Sequence, residues 1–149
     1  MNILTYPVSA GVVGFESPAA EYKQLELSLD ELLVEHPSST FLALAQGDSM
    51  QGVGIFSGDV LIVDRALTAK DHDIIIANLN GELVCKILDI KGRRLLSANE
   101  SMKPVRIDEQ DSFAIEGVLA SSIRLHRSGP QFSDMTLSGR SVLIVPNNT

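Results

Sequence analysis

Cysteine is almost missing from this chain of 149 residues. Cys85 has no second cysteine to pair with, which excludes an internal disulfide framework. Basic residues are scarce too: 12 Lys and Arg stand against 19 Asp and Glu, for a net charge of −7. DNA binding draws on counterions released by clustered Lys and Arg. Direct DNA binding is therefore not expected, and the acidic surplus reads as a solubilising surface. No apolar run approaches the ~18 residues of a membrane span. Met1 to Val13 also lacks the basic start and long apolar stretch of a signal peptide. The expected compartment is the cytoplasm, without membrane attachment. Internal repeats and low-complexity segments are absent as well.

The composition that remains, 44% hydrophobic and 21% charged, is that of an ordinary globular domain able to build a core. Residues 1–23 carry Pro and Gly without a sustained period and read as an extended, poorly anchored arm. Ser28-Leu29-Asp30-Glu31 is a capping box, and Leu29, Leu32 and Leu33 follow at helical spacing. The spacing predicts a short helix near 29–35, ended by Pro37.

From Thr40 onward the apolar runs are short: Phe41–Ala45, Val60–Val63, Ile74–Ala77, Leu83–Leu88, Leu95–Leu96, Phe113–Val118 and Val142–Val145. Ser57-Gly58-Asp59, Asn80-Gly81 and Lys91-Gly92 lie between them. Asn80-Gly81 is a strong hairpin signal, because both residues tolerate positive φ. The expected fold is mainly β, with many short strands and one short N-terminal helix.

Chemistry begins at Gly47-Asp48-Ser49-Met50. A serine in a glycine-containing turn after an apolar strand is placed to expose its hydroxyl and to aim backbone N–H groups at an oxyanion. Taken alone, such a serine is more often structural. A nucleophile needs a base, and the histidines do not offer one. His36 precedes Pro37, His72 sits between two aspartates in a turn, and His126 lies in a polar tail. Each reads as a surface residue, and no G-x-S-x-G elbow is present. Asp59 and Asp64 bracket an apolar run and read as solvated strand ends rather than an aspartic dyad.

Lys86 interrupts the apolar run Leu83-Val84-Cys85-Lys86-Ile87-Leu88 and shares a strand face with Val84 and Leu88. Burial there would disfavour the charged amine and make it a general base near neutral pH. The competing reading is an edge-strand lysine reaching out to water. The lysines at 23, 70, 91 and 103 lie in polar settings, and Cys85 faces away from Lys86 as an inert buried thiol. No metal and no cofactor is expected.

Three ordered segments now stand together: Gly47-Asp48-Ser49-Met50, then Gly58-Asp59-Val60-Leu61-Ile62-Val63-Asp64, then Gly81-Glu82-Leu83-Val84-Cys85-Lys86. In this the chain resembles the LexA/UmuD family of self-cleaving serine peptidases, over roughly residues 6–125. Gly14-Phe15-Glu16-Ser17-Pro18-Ala19-Ala20-Glu21-Tyr22 is similar to the cleavage arm of the UmuD-like branch. The resemblance implies Ser49 as nucleophile, Lys86 as general base, and the backbone N–H groups of Ser49 and Met50 as the oxyanion site. It implies a cut at Val13–Gly14, with Ala10–Gly11 as a second candidate bond. It also implies a homodimer, stimulation by a RecA–single-stranded DNA filament, and service to a UmuC-like Y-family polymerase in error-prone translesion synthesis. The corresponding division is a cleavable arm at 1–23, a peptidase domain at 24–125 and an extension at 126–149.

The chain departs from the family pattern in three places. Valine precedes the scissile bond where relatives carry Cys or Ala. The stretch ahead of the cut is short, too short for the helix-turn-helix domain of LexA-like repressors. His126–Thr149 has no recognised counterpart and is either an added strand through Val142–Val145 or a tail. Two further readings follow: a binding module of the same fold with impaired cleavage, and a phage- or plasmid-type regulator. An unrelated small β domain would require all three motifs to be accidental.

Overall fold

The computed structural model describes residues 2–4, 24–26, 28–127 and 143–146. They belong to two compact units, one within residues 1–35 and one within 36–149. Most of the expected arm, with both candidate bonds Val13–Gly14 and Ala10–Gly11, lies outside the described residues.

In the first unit, β1 (Asn2–Leu4) pairs antiparallel with β2 (Gln24–Glu26). The helix α1 (Leu29–Leu33) follows. Its start is the expected capping box: the Glu31 N–H donates to Ser28 Oγ at 3.1 Å, and the Ser28 N–H donates to Glu31 Oε2 at 2.9 Å. The helix stops two residues earlier than the sequence suggests, because Val34 is already extended at φ −117°.

The second unit is a curled eight-stranded sheet. Its strands are β3 (Thr40–Gln46), β4 (Val60–Asp64), β5 (Ile74–Leu79), β6 (Glu82–Asp89), β7 (Arg94–Leu96), β8 (Val105–Arg106), β9 (Phe113–Ile123) and β10 (Leu143–Pro146). The order across the sheet is β10-β3-β4-β9-β5-β6-β7-β8. All pairings are antiparallel except that of β10 with β3, where Leu143↔Ala43 through Pro146↔Gln46 run parallel. The C-terminal apolar run is thus a strand and not a tail. The mainly β expectation is borne out, and each apolar run from Phe41 onward coincides with a strand. β8 is only two residues long and carries no period that a sequence can show.

The β5–β6 hairpin turns on Asn80 and Gly81, with φ of 53° and 88°. Both values are positive, as the two-residue turn demands. The Asn80 side chain fastens this turn to the next loop, donating to Asp111 Oδ1 at 2.9 Å and accepting from the Ser112 N–H at 2.9 Å.

Strand alternation divides the apolar residues between two clusters. Ile76 and Cys85 face one, with Ala43, Ala45, Met50, Ile55, Leu61 and Val63. Their neighbours Ile75, Ala77, Val84 and Leu88 face the other, with Leu95 and Val118. Each fully buried Ile, Leu or Val contributes about 1.5–3 kcal/mol.

Candidate active site

The site starts where β3 ends. After Gln46 the chain turns, and Met50 inserts its side chain among Ala43, Ala45 and Cys85. That anchor carries Ser49 inward with it, and Ser49 is 0% exposed. The expectation of an exposed hydroxyl is therefore corrected: the turn is pulled into the core. Ser49 Oγ has no hydrogen-bond partner, and among the buried side-chain polar atoms of the described residues it shares that condition only with Ser121 Oγ. An unpaired buried hydroxyl costs about 1–3 kcal/mol. The N–H groups of Ser49 and Met50 donate to no backbone carbonyl among the described residues.

Lys86 lies in the middle of β6, an interior strand between β5 and β7, and is 1% exposed. It does not snorkel. Its carbon stem sits on the Val84 and Leu88 side, and a cavity of about 80 Å³ lined by Leu79, Glu82, Val84, Leu95 and Val105 opens onto it. Burial lowers the pKa of the amine from its ordinary 10.5, with only the neighbouring Cys85 pulling the other way. Burial pushes the Cys85 thiol up to about 12, against the opposing charge of Lys86. The thiol is thus protonated at neutral pH, and its pull on Lys86 belongs to the alkaline range where it ionises. Cys85 packs in the opposite cluster, as an inert buried thiol should.

The structure does not join Ser49 and Lys86 by a hydrogen bond. Lys86 Nζ donates instead to Ser97 Oγ at 2.9 Å. The next two residues reach the serine turn. The Ala98 carbonyl accepts from the Gly52 N–H at 2.6 Å, and Asn99 Nδ2 donates to the Asp48 carbonyl at 3.0 Å. Residues 97–99 thus touch the lysine at one end and the turn around Ser49 at the other. The approach is close enough to need glycine: a Cβ on residue 52 would lie 2.6 Å from the Ala98 carbonyl oxygen. Sequence reading missed Ser97, although the runs on either side of Lys91-Gly92 hold the signal, since the hairpin they form sets Ser97 across from Lys86.

Two aspartates also differ from expectation. Asp59 and Asp64 are 3% and 2% exposed and are not solvated strand ends. Arg124 grips Asp59 through Nε at 3.0 Å and a terminal nitrogen at 2.9 Å, and its guanidinium lies 4.2 Å from the Phe56 ring centre. His36 Nδ1 meets Asp64 Oδ2 at 2.6 Å, so His36 is a partner of a buried carboxylate rather than a surface bystander. This hydrogen bond, opposed by burial and aided by the Ala66 N–H, holds the Asp64 carboxyl below its ordinary value. His72 and His126 are exposed. Among the described residues no group of three or more His, Cys, Asp or Glu is placed to hold a metal. None of the described helices is long and apolar enough to cross a membrane.

A family model described as Peptidase S24-like matches residues 3–120. Protein SamA of Salmonella typhimurium is 39% identical over 116 residues, covering 77% of this chain and 81% of SamA. Protein MucA of Escherichia coli is 38% identical over 115 residues, covering 76% of this chain and 79% of MucA. The LexA repressor of Xylella fastidiosa is 32% identical over 128 residues, which span 85% of this chain and 61% of the repressor. These matches agree with the resemblance carried by the three sequence motifs.

Proposed function

We propose a function from one premise: this chain belongs to the Peptidase S24-like family. It is a serine peptidase that cuts itself, with Ser49 as nucleophile and Lys86 as general base. One observation carries this reading. The turn that carries a buried, unpartnered hydroxyl and a buried lysine of lowered pKa are both hydrogen-bonded to the same three residues, 97–99.

Neutral Lys86 takes the Ser49 proton as Oγ attacks the carbonyl carbon of Val13. The N–H groups of Ser49 and Met50 receive the charge that develops on the carbonyl oxygen. The Val13–Gly14 bond then breaks, and the Gly14 nitrogen leaves as an amine, taking the proton from Lys86. Water, deprotonated by the same lysine, hydrolyses the ester on Ser49. A glycine after the bond lets the backbone approach the dyad closely. At roughly 3.3 Å per extended residue, the stretch from Val13 to Ser49 is long enough for the arm to reach a site on its own chain or on a second copy. Lys86 donates to Ser97 in the structure, so attack requires its nitrogen to turn toward Ser49. Docking of the arm is the natural trigger for that turn.

By likeness to the UmuD-like proteins, this cut follows DNA damage. A RecA–single-stranded DNA filament promotes it in a homodimer, and the shortened protein joins a Y-family polymerase for translesion synthesis in the cytoplasm. A second reading, a binding module with impaired cleavage, is favoured by Val13, which is bulkier than the small residues of relatives.

Intact-mass spectrometry tests both. Wild type and Ser49→Ala are incubated with RecA filaments and nucleotide, and separately at mildly alkaline pH. Loss of residues 1–13 from wild type alone is the expected result. Loss of 1–10 moves the bond to Ala10–Gly11. An intact wild type under both conditions sinks the peptidase reading in favour of the binding module.

A further inference from the structure

The register of β6 with β7 fixes an unassigned neighbour of the lysine. Leu88 pairs with Leu95 and Ile87 with Leu96. Continued by one residue, the same register sets Ser97 opposite Lys86. The two side chains meet there, and the bond to Ser97 Oγ at 2.9 Å is the one that Lys86 Nζ makes among the described residues. Ser97 is itself half-buried, so water competes weakly for this contact.

A lysine side chain has four rotatable carbons, and its terminal group spins freely unless something fixes it. For proton abstraction the nitrogen must present its lone pair, and not an N–H, to the serine hydroxyl. One N–H committed to Ser97 Oγ leaves the nitrogen a single rotation that decides where the lone pair points. The residues after Ser97 are bound to the serine turn, through Ala98 to Gly52 and through Asn99 to Asp48. Ser97 therefore refers the position of the lysine to the element that carries the nucleophile.

We infer that Ser97 is a positioning residue of this site, orienting the Lys86 amine relative to Ser49. The inference rests on Lys86 being the base, as proposed above. The contact itself does not depend on that role. A serine that merely filled a gap beside the amine would be replaceable by alanine without effect on how the lysine titrates. A hydroxyl that accepts from the ammonium favours the charged form, so its loss moves the titration toward lower pH.

The test uses full-length protein labelled with ¹³Cε-lysine, with the Lys86 resonance assigned from a Lys86→Arg chain. Wild type, Ser97→Ala and Ser97→Thr are titrated by NMR, and their self-cleavage is timed with RecA filaments. We expect the Lys86 midpoint of Ser97→Ala to lie below that of wild type and its cleavage to slow by about ten- to a hundred-fold, the scale of a misplaced catalytic group. Threonine, which keeps the hydroxyl, restores both. A Lys86 midpoint unchanged in Ser97→Ala overturns the inference. So does a shift that threonine fails to reverse, or cleavage at the wild-type rate in Ser97→Ala. If wild type is never cut yet the Lys86 midpoint still follows the Ser97 hydroxyl, the positioning stands and the peptidase reading falls.

Discussion

Asp59 and Lys86 are both almost fully buried, at 3% and 1% exposure, yet only the aspartate is met by an opposite charge among the described residues. Arg124 supplies two hydrogen bonds, the Phe56 N–H a third at 2.9 Å, and the guanidinium is stacked on the Phe56 ring. Burial alone would raise the Asp59 carboxyl, but the Arg124 hydrogen bonds, the Phe56 N–H and the Arg124 charge outweigh it and hold it below 3.8. Lys86 has one neutral hydroxyl, and the buried Ser49 Oγ has no partner among the described residues. The first site is a charge that has been completed, and it serves stability. The second is left incomplete, and an incomplete buried site is where reactivity can be kept.

The comparison can be broken most severely at Asp59. Asp59→Ala leaves Arg124 facing a void, and removing one partner of a buried pair costs 3–5 kcal/mol. Because the Arg124 side chain is 44% exposed and can turn to water, about 2–3 kcal/mol is the expected loss, read from urea unfolding. The wild-type pair also has a pH signature. A carboxyl whose folded pKa is depressed contributes stability above its unfolded value of 3.8, and that contribution is lost as pH falls through the lowered folded value.

Next in size is Gly52→Ala, whose added methyl meets the Ala98 carbonyl oxygen at 2.6 Å. Overpacking against backbone costs about 1–3 kcal/mol. It should also part residues 97–99 from the serine turn, so that self-cleavage slows by more than the loss of stability explains. Thermal melting and cleavage kinetics of the one variant check both statements.

Lys86→Met sharpens the contrast by reversing the sign. An isosteric apolar residue removes a buried, uncompensated amine, and the variant should be uncleavable but more stable at pH 7 by about 1–2 kcal/mol. Here the folded pKa is lowered from 10.5, so between the two values the unfolded chain holds more protons than the folded one. Wild-type stability therefore rises with pH across that window. The advantage of Lys86→Met should shrink toward pH 10.5 in parallel urea titrations. The smallest effect is expected of Arg124→Lys, which keeps the charge but gives up the forked grip and the ring stacking. A small loss, less than that of Asp59→Ala in the same assay, fits that change.

How much of this was legible beforehand follows from where each signal resides. Strands and the Asn80-Gly81 hairpin were legible because alternation and positive-φ turns are local properties. Ser49 and Lys86 stood out as candidates because a motif holds each in a fixed context, and what the structure adds is their burial. The burial of Asp59 and Asp64 was not, since an aspartate beside an apolar run looks solvated until its partner is known. Those partners, Arg124 and His36, lie far along the chain. Ser97 was hidden for a related reason: it borders Lys86 only after β6 and β7 pair. The inward pull on Ser49 required knowing that Met50 is an anchor and not a turn residue.

β9 carries one more consequence. Its first half ladders onto β5 and its second half onto β4, and Val118 is registered against both Ile75 and Asp64. A single strand thus belongs to both halves of the sheet, and to peel either half away is to strip one side of β9. Loss of one half exposes the flank of the other, so the two halves are coupled in unfolding through β9. The serine turn and the lysine strand belong to opposite halves, so a change that loosens one reaches the other through β9.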